Sequence, residues 1–62
     1  MSNEMPSETT HNWLDKHPAA KALAIDSHLP EAMKVTLIEV YGKFLGVTLN
    51  RLAVRSFVLK EN

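Results

Sequence analysis

The sequence predicts a small, mostly α-helical domain in which one short element precedes two helices. Apolar residues recur at helical spacing over 31–45 and again over 49–60, while the pattern of residues 22–29 fits either a strand or a helix. A chain of 62 residues without cysteine has room for one domain, and its thin core has no disulfide to support it. Because 45% of the residues are hydrophobic, we expect two chains to associate and cover part of that surface.

Residues 1–20 are predicted to form a flexible N-terminal arm. As far as His11 they are rich in Ser, Thr, Asn, Glu and Pro and show no periodicity. Asn12 can cap a short helical turn around Trp13, which Pro18 limits to about one turn. We interpret Trp13 as a lid over the core, and the arm as a candidate segment for folding on a protein partner.

The next segment, residues 18–29, can be interpreted in two ways. Its four alanines favour a helix by propensity. A period-2 alternation instead favours a strand with Leu23, Ile25, Ser27 and Leu29 on one face and Ala24, Asp26 and His28 on the other. The Leu29-Pro30 step marks the boundary with the following helix, because proline starts a helix well.

Residues 31–45 carry the strongest helical signal. The main apolar stripe consists of Met33, Leu37, Val40, Tyr41 and Phe44, and a second apolar edge consists of Val35, Ile38 and Leu45. An apolar arc this wide is more than one neighbouring helix covers, which again indicates an oligomer. Gly46 supplies the left-handed residue that ends the helix.

A last helix is predicted over 49–60, with Thr48 or Asn50 as its N-cap. Its inner stripe is Leu52, Ala53, Ser56 and Phe57, whereas Val54, Val58 and Leu59 lie elsewhere on the helix. Apolar residues on several faces of one helix are typical of a chain that associates with another.

Charge is separated along the chain although the net charge is zero. Residues 1–40 contain six acidic and three basic side chains, and residues 41–62 contain four basic side chains and one acidic. A basic C-terminal segment indicates either a polyanion or acidic protein surface as partner, or a solvated helix face.

Several classes of protein are not expected. Ser27 and His28 are the one tempting nucleophile and base, but neighbouring side chains diverge on a strand and on a helix, so we expect no enzyme. His11, His17 and His28 lack the close spacing of a metal site, and no cofactor is expected. No apolar run approaches the length of a membrane span and no secretory signal is visible, so a cytoplasmic location is expected.

From about Lys21 to Asn62 the sequence resembles a ribbon-helix-helix domain of the Arc and MetJ repressor type. The matching parts, in order, are the alternating strand at 22–29, the Leu29-Pro30-Glu31 junction, an amphipathic helix ending at Leu45-Gly46, and a second helix entered through Val47-Thr48-Leu49-Asn50. The resemblance divides the chain into the arm, 1–20, and a dimerisation and DNA-binding domain, 21–62.

The resemblance implies a homodimeric transcriptional regulator, a repressor or antitoxin, that inserts a two-stranded ribbon into the major groove of duplex DNA. The residues facing the bases would be Ala24, Asp26 and His28. Phosphates would be held by Thr48, Leu49, Asn50 and Arg51. The dimer core would contain Leu23, Ile25, Leu37, Ile38, Leu45, Leu52 and Phe57.

Two other interpretations stay open. A helix-turn-helix fits the phasing from Tyr41 to Leu52, but it places Arg55 where a buried apolar residue is needed, and we rank it lower. The main alternative is a three-helix bundle that acts as a protein-interaction module, an inhibitor or adaptor without nucleic-acid binding. The conformation of residues 22–29, strand or helix, separates this alternative from the ribbon.

Overall fold

Four α-helices follow one another in the computed structural model, which describes residues 6–61. They are α1 (Ser7–Asp15), α2 (Pro18–Ile25), α3 (Glu31–Phe44) and α4 (Arg51–Glu61). No β-strand occurs within residues 6–61. The predicted strand at 22–29, and with it the ribbon-helix-helix fold, is therefore wrong, whereas the helical-bundle alternative fits with four helices in place of three.

Helices α1 and α2 occupy most of the region that was predicted to be a flexible arm. Thr10 and Leu14, four residues apart on α1, are both fully buried, and the backbone N–H of Thr10 donates to the carbonyl of Pro6 at 2.8 Å. The single helical turn expected around Trp13 is part of this nine-residue helix. From Ser7 onwards the structure thus has helices where the sequence predicted a flexible arm, and residues 1–5 lie outside the described residues.

Helix α2 replaces the first half of the predicted strand. Pro18 occupies its first turn, where the missing N–H costs no hydrogen bond. Ala20 and Ala24, one turn apart, are fully buried and allow close approach of the neighbouring helices. The alternation that suggested a strand has no packing counterpart, because Ile25 is exposed. Tertiary packing and alanine propensity together outweigh the period-2 pattern.

The ends of the last two helices follow the sequence signals closely. After α3, Gly46 has a φ of 83°, its N–H donates to the carbonyl of Lys43 at 2.9 Å, and the N–H of Val47 donates to Gly42 at 2.9 Å. These paired bonds form a Schellman motif. Asn50 then caps α4, because its Oδ1 accepts the N–H of Ala53 at 3.0 Å.

Gly42 allows the connection between α3 and α4 to fold back onto α3. A Cβ at this position would lie 2.7 Å from Cδ1 and 2.9 Å from Cγ of Leu49. Leu49 is 3% exposed and belongs to the core. The glycine therefore provides the space that a buried leucine from the connection occupies.

Helix α4, like α2, contacts all three other helices. Its buried face, Ala53, Val54, Phe57 and Val58, lies at the centre of a core that also contains Leu14, Ala20, Ala24, Val35, Ile38 and Leu49. Thr10 and Lys34 are buried as well, and within residues 6–61 no buried side-chain nitrogen or oxygen lacks a hydrogen-bond partner. One chain thus builds a satisfied core of its own.

Candidate interaction surface

The most unusual surface of the described chain is an apolar stripe along the outer side of α3. We define the α3 stripe as Met33, Leu37, Val40 and Phe44, whose exposed fractions are 48%, 37%, 54% and 89%. Single exposed apolar side chains are common on proteins, whereas a contiguous apolar patch is typical of an interaction surface. The stripe is therefore the leading candidate for a binding surface.

Helical geometry places this stripe opposite the core. Val35 and Ile38 are buried, and Glu31 and Glu39 form ion pairs with α4. Successive residues of a helix are rotated by about 100°, so the stripe points roughly half a turn away from these residues. The buried side of α3 is thus the edge that the sequence presented as secondary, and the main apolar stripe, with the exception of the half-buried Tyr41, faces outward.

The spacing of the α3 stripe suits another helix. Its residues follow one another at intervals of four, three and four, which is the alternation of the a and d positions in a coiled coil. Side chains at this spacing stay on one line along a partner helix that crosses at about 20°. The stripe can therefore bind an α-helix with a matching apolar face.

A second apolar region of the surface lies between α1 and α4. It is a cavity of about 250 Å³ lined by Glu8, His11, Leu52, Ala53 and Ser56. The Nε2 of His11 lies 3.0 Å from the carbonyl oxygen of Ala53, and since a carbonyl only accepts, this nitrogen is the donor. His11 also meets the ring of Phe57 edge-on at 5.9 Å. These contacts attach α1 to α4.

The charge separation in the sequence has an internal counterpart. Arg51 pairs with Glu39, and the Nε of Arg55 lies 3.0 Å from Oε2 of Glu31, so both arginines of α4 lie beside glutamates of α3. Both arginines also line a cavity of about 210 Å³ between these helices. The two arginines of the basic segment therefore meet carboxylates of their own chain.

An aromatic cluster joins the N-terminal helices to α3. Trp13 stacks on His17 with ring centroids 3.9 Å apart, and Tyr41 meets Trp13 and His17 edge-on at 6.1 and 6.2 Å. All three side chains are half-buried, and Trp13 and Tyr41 pack against the core. Trp13 thus covers one side of the core.

The residues predicted to face DNA bases do not lie together on an outward face. Ala24 is fully buried within α2. Asp26 and His28 lie in the turn before α3, where the Asp26 carboxylate accepts the backbone N–H of His28 at 2.8 Å. The imidazole of His28 is 94% exposed. This turn is held by a local Asx hydrogen bond and presents no ribbon.

The residues predicted to hold phosphates have four different surroundings. Thr48 is exposed and Leu49 is buried against Gly42. The side chain of Asn50 is occupied as the N-cap of α4, and the guanidinium of Arg51 is paired with Glu39. The structure does not bring these four side chains together around one anion.

The residues predicted to form a dimer core divide into two groups in the single chain. Ile38 and Phe57 are fully buried and Leu23 is half-buried. The exposed members are Ile25, Leu37, Leu45 and Leu52. The first group belongs to the core of one chain, and only the second is exposed for contacts with another.

Two features of the described part bear on other functions. Among residues 6–61 no three His, Asp or Glu side chains lie close enough together to hold a metal ion. None of the four helices is long and apolar enough to cross a bilayer.

Comparisons with known proteins give no further guide. No protein-family model, no curated protein and no solved structure matches the chain.

The sequence did not show that the α3 stripe is exposed on the single chain, although its residues were identified. A strongly periodic apolar stripe usually faces the core, and two apolar edges on one helix leave the choice between them open. The signal that could have separated the two edges was the pair Glu31 and Glu39, which flank Val35 and are opposite in charge to Arg55 and Arg51.

Proposed function

We propose that the protein is a small all-α interaction module that binds a helix of a protein partner on the α3 stripe. The observation that carries the proposal is the row of four exposed apolar side chains at coiled-coil spacing. Binding would remove these side chains from water, and each buried methylene contributes about 0.8 kcal/mol. The module acts by binding, without catalysis.

This proposal takes the place of a ribbon that reads DNA. The groove-reading mechanism required a strand at residues 22–29, and helix and turn occupy that segment. Arg51, the arginine predicted to hold a phosphate, is paired with Glu39. A helix-binding surface uses features that the described chain has, and a cytoplasmic location stays a prediction from the sequence.

Site-specific photo-crosslinking in cells tests the proposal. A photoreactive benzoylphenylalanine replaces Val40 in one variant and Leu59 in another, since these two apolar residues are exposed to nearly the same extent, 54% and 57%. We expect covalent protein adducts from position 40, to a second copy or to another protein, and few from position 59. An absence of adducts at position 40, or equal yields at both, would contradict the proposal.

A further inference from the structure

We propose that the α3 stripe binds the same stripe of a second copy of this chain, with the two α3 helices antiparallel. This inference rests on the proposed function and names its partner. The described residues bury a core within one chain, yet Phe44 is 89% exposed and Val40 is 54% exposed. A surface that consists of one helix and one stripe can be covered by an identical helix.

The stripe is complementary to itself when it is reversed. A two-fold axis between Leu37 and Val40 places Met33 of one copy against Phe44 of the other, and Leu37 against Val40. Each layer then pairs a larger side chain with a smaller or more flexible one: Phe44 lies against the flexible Met33, and Leu37 lies against the smaller Val40. A methionine sulfur beside an aromatic ring is also a favourable contact.

The parallel arrangement packs less evenly. In register, it sets Phe44 against Phe44 at one end and Val40 against Val40 in the next layer, so the gap between the helices would widen at the phenylalanines. The antiparallel arrangement gives the four layers more equal widths. It also opposes the two helix dipoles, which is the favourable orientation.

The polar residues that flank the stripe fit this arrangement. Thr36 and Lys43 border it on one side, and both are exposed. Reversal of one helix brings Lys43 of each copy beside Thr36 of the other, so no two like charges meet across the contact. On the other side, the half-buried Tyr41 continues the apolar surface.

The contact between two stripes is small for a protein interface. The stripe extends over eleven residue steps, or about 16 Å of helix, and such a contact buries roughly 800–1,000 Å² in total, at the low end for specific interfaces. We therefore expect an exchanging dimer with a dissociation constant on the order of 10–100 µM. An antiparallel helix pair of this kind leaves the α1–α4 side of each copy accessible.

Sedimentation analysis of the full chain tests self-association. We expect the average mass to rise from monomer to dimer between about 5 and about 500 µM. Val40→Glu places a carboxylate against Leu37 of the other copy at two points of the dimer, and should weaken association at least about tenfold. Leu59→Glu, on α4, is the matched control and should leave association within about twofold. Circular dichroism checks that both variants keep their helices.

Cysteine crosslinking tests the orientation, because the chain contains no cysteine of its own. Met33→Cys and Phe44→Cys are prepared as separate chains and oxidised singly and as a mixture. Antiparallel pairing predicts a disulfide dimer in the mixture, and little in either variant alone, because equal positions lie far apart. Crosslinking of Phe44→Cys alone, as efficient as that of the mixture, indicates a parallel pair and overturns the proposal.

The outcomes separate this inference from the proposed function. A chain that stays monomeric at about 500 µM, or one in which Val40→Glu and Leu59→Glu weaken association equally, overturns self-pairing. Photo-adducts from position 40 to another protein alone would then retain the helix-binding function with a different partner. An absence of both self-association and adducts removes both proposals.

Discussion

The two N-terminal helices and the two C-terminal helices contribute side chains of different size and polarity to one core. The buried positions of α1 and α2 are Thr10, Leu14, Ala20 and Ala24, of which only Leu14 is a large apolar residue. Helices α3 and α4 bury Ile38, Phe57 and several valines, and still leave the α3 stripe in water. The N-terminal half buries little apolar side-chain volume, whereas the C-terminal half has more apolar side chains than the core can bury.

This difference shows that burial in so small a domain is limited by geometry. A helix with alanines approaches its neighbours closely and is buried without large side chains. A helix at the outer side of the bundle, in contrast, can turn only one face inward, so a second apolar stripe stays exposed whatever its hydrophobicity. Single substitutions at buried positions of α1 and α2 should therefore lower the free energy of unfolding strongly, whereas substitutions of the exposed apolar residues of α3 and α4 should change it little.

Among the substitutions that test this difference between the halves, Leu14→Ala has the largest expected effect. Leu14 is the one large apolar side chain of α1 that is fully buried, so its truncation should lower the free energy of unfolding by about 2–5 kcal/mol. That is a large part of the stability of a domain of this size. Urea unfolding followed by circular dichroism, at a fixed protein concentration, measures the change.

Leu52→Ala is the control for this prediction. The same side chain is removed, but from a position that is 74% exposed, so the cost should stay within about 0.5 kcal/mol. Equal costs at Leu14 and Leu52 would mean that α1 does not pack as described, or that Leu52 is covered by another chain.

The C-terminal half could be predicted well from the sequence. Apolar periodicity gave both helices, Gly46 gave the end of α3, and Asn50 was one of the two caps considered for α4. The sequence left open which side of α3 faces the core, because the helix carries two apolar edges and periodicity alone cannot tell them apart. Pairing with α4 decides that question, and it is a property of two helices at once.

The N-terminal half could not be predicted in the same way. Its buried face consists of Thr10, Leu14 and two alanines, and a threonine and alanines contribute little to a hydrophobic pattern. Pro18 at the first turn of α2, followed by alanines at intervals of four residues, was the available signal. It competed with an alternation at residues 23–29 that proved to be coincidental.

Ala24→Leu tests the packing of the N-terminal half by adding side-chain volume instead of removing it. If α2 approaches its neighbours through alanines, three added carbons at this fully buried position should overpack the core and cost about 1–3 kcal/mol. Ala22→Leu makes the same change on the exposed side of α2 and should be nearly neutral. Thermal unfolding of both variants measures the difference, and a neutral or stabilising Ala24→Leu would show that the N-terminal half has unfilled space.

The smallest expected effect concerns the charges that connect α3 and α4. Arg55 and Glu31 lie 3.0 Å apart, but their side chains are 63% and 42% exposed, so solvent screens the pair. A double-mutant cycle with Arg55→Gln and Glu31→Gln should give a coupling energy of only about 0.2–1 kcal/mol. The coupling should fall towards zero in about 1 M salt, where the Debye length is about 3 Å.

This cycle also tests why the charge is separated along the chain. If the two residues pair within one chain, the coupling energy is the same at low and high protein concentration, because no second copy takes part. A coupling that grows with protein concentration would instead place Arg55 at an interface between chains. The surface of association would then be the side of the bundle where α3 meets α4, and not the α3 stripe. The distinction between a core built by one chain and an exposed apolar stripe used for binding would no longer hold.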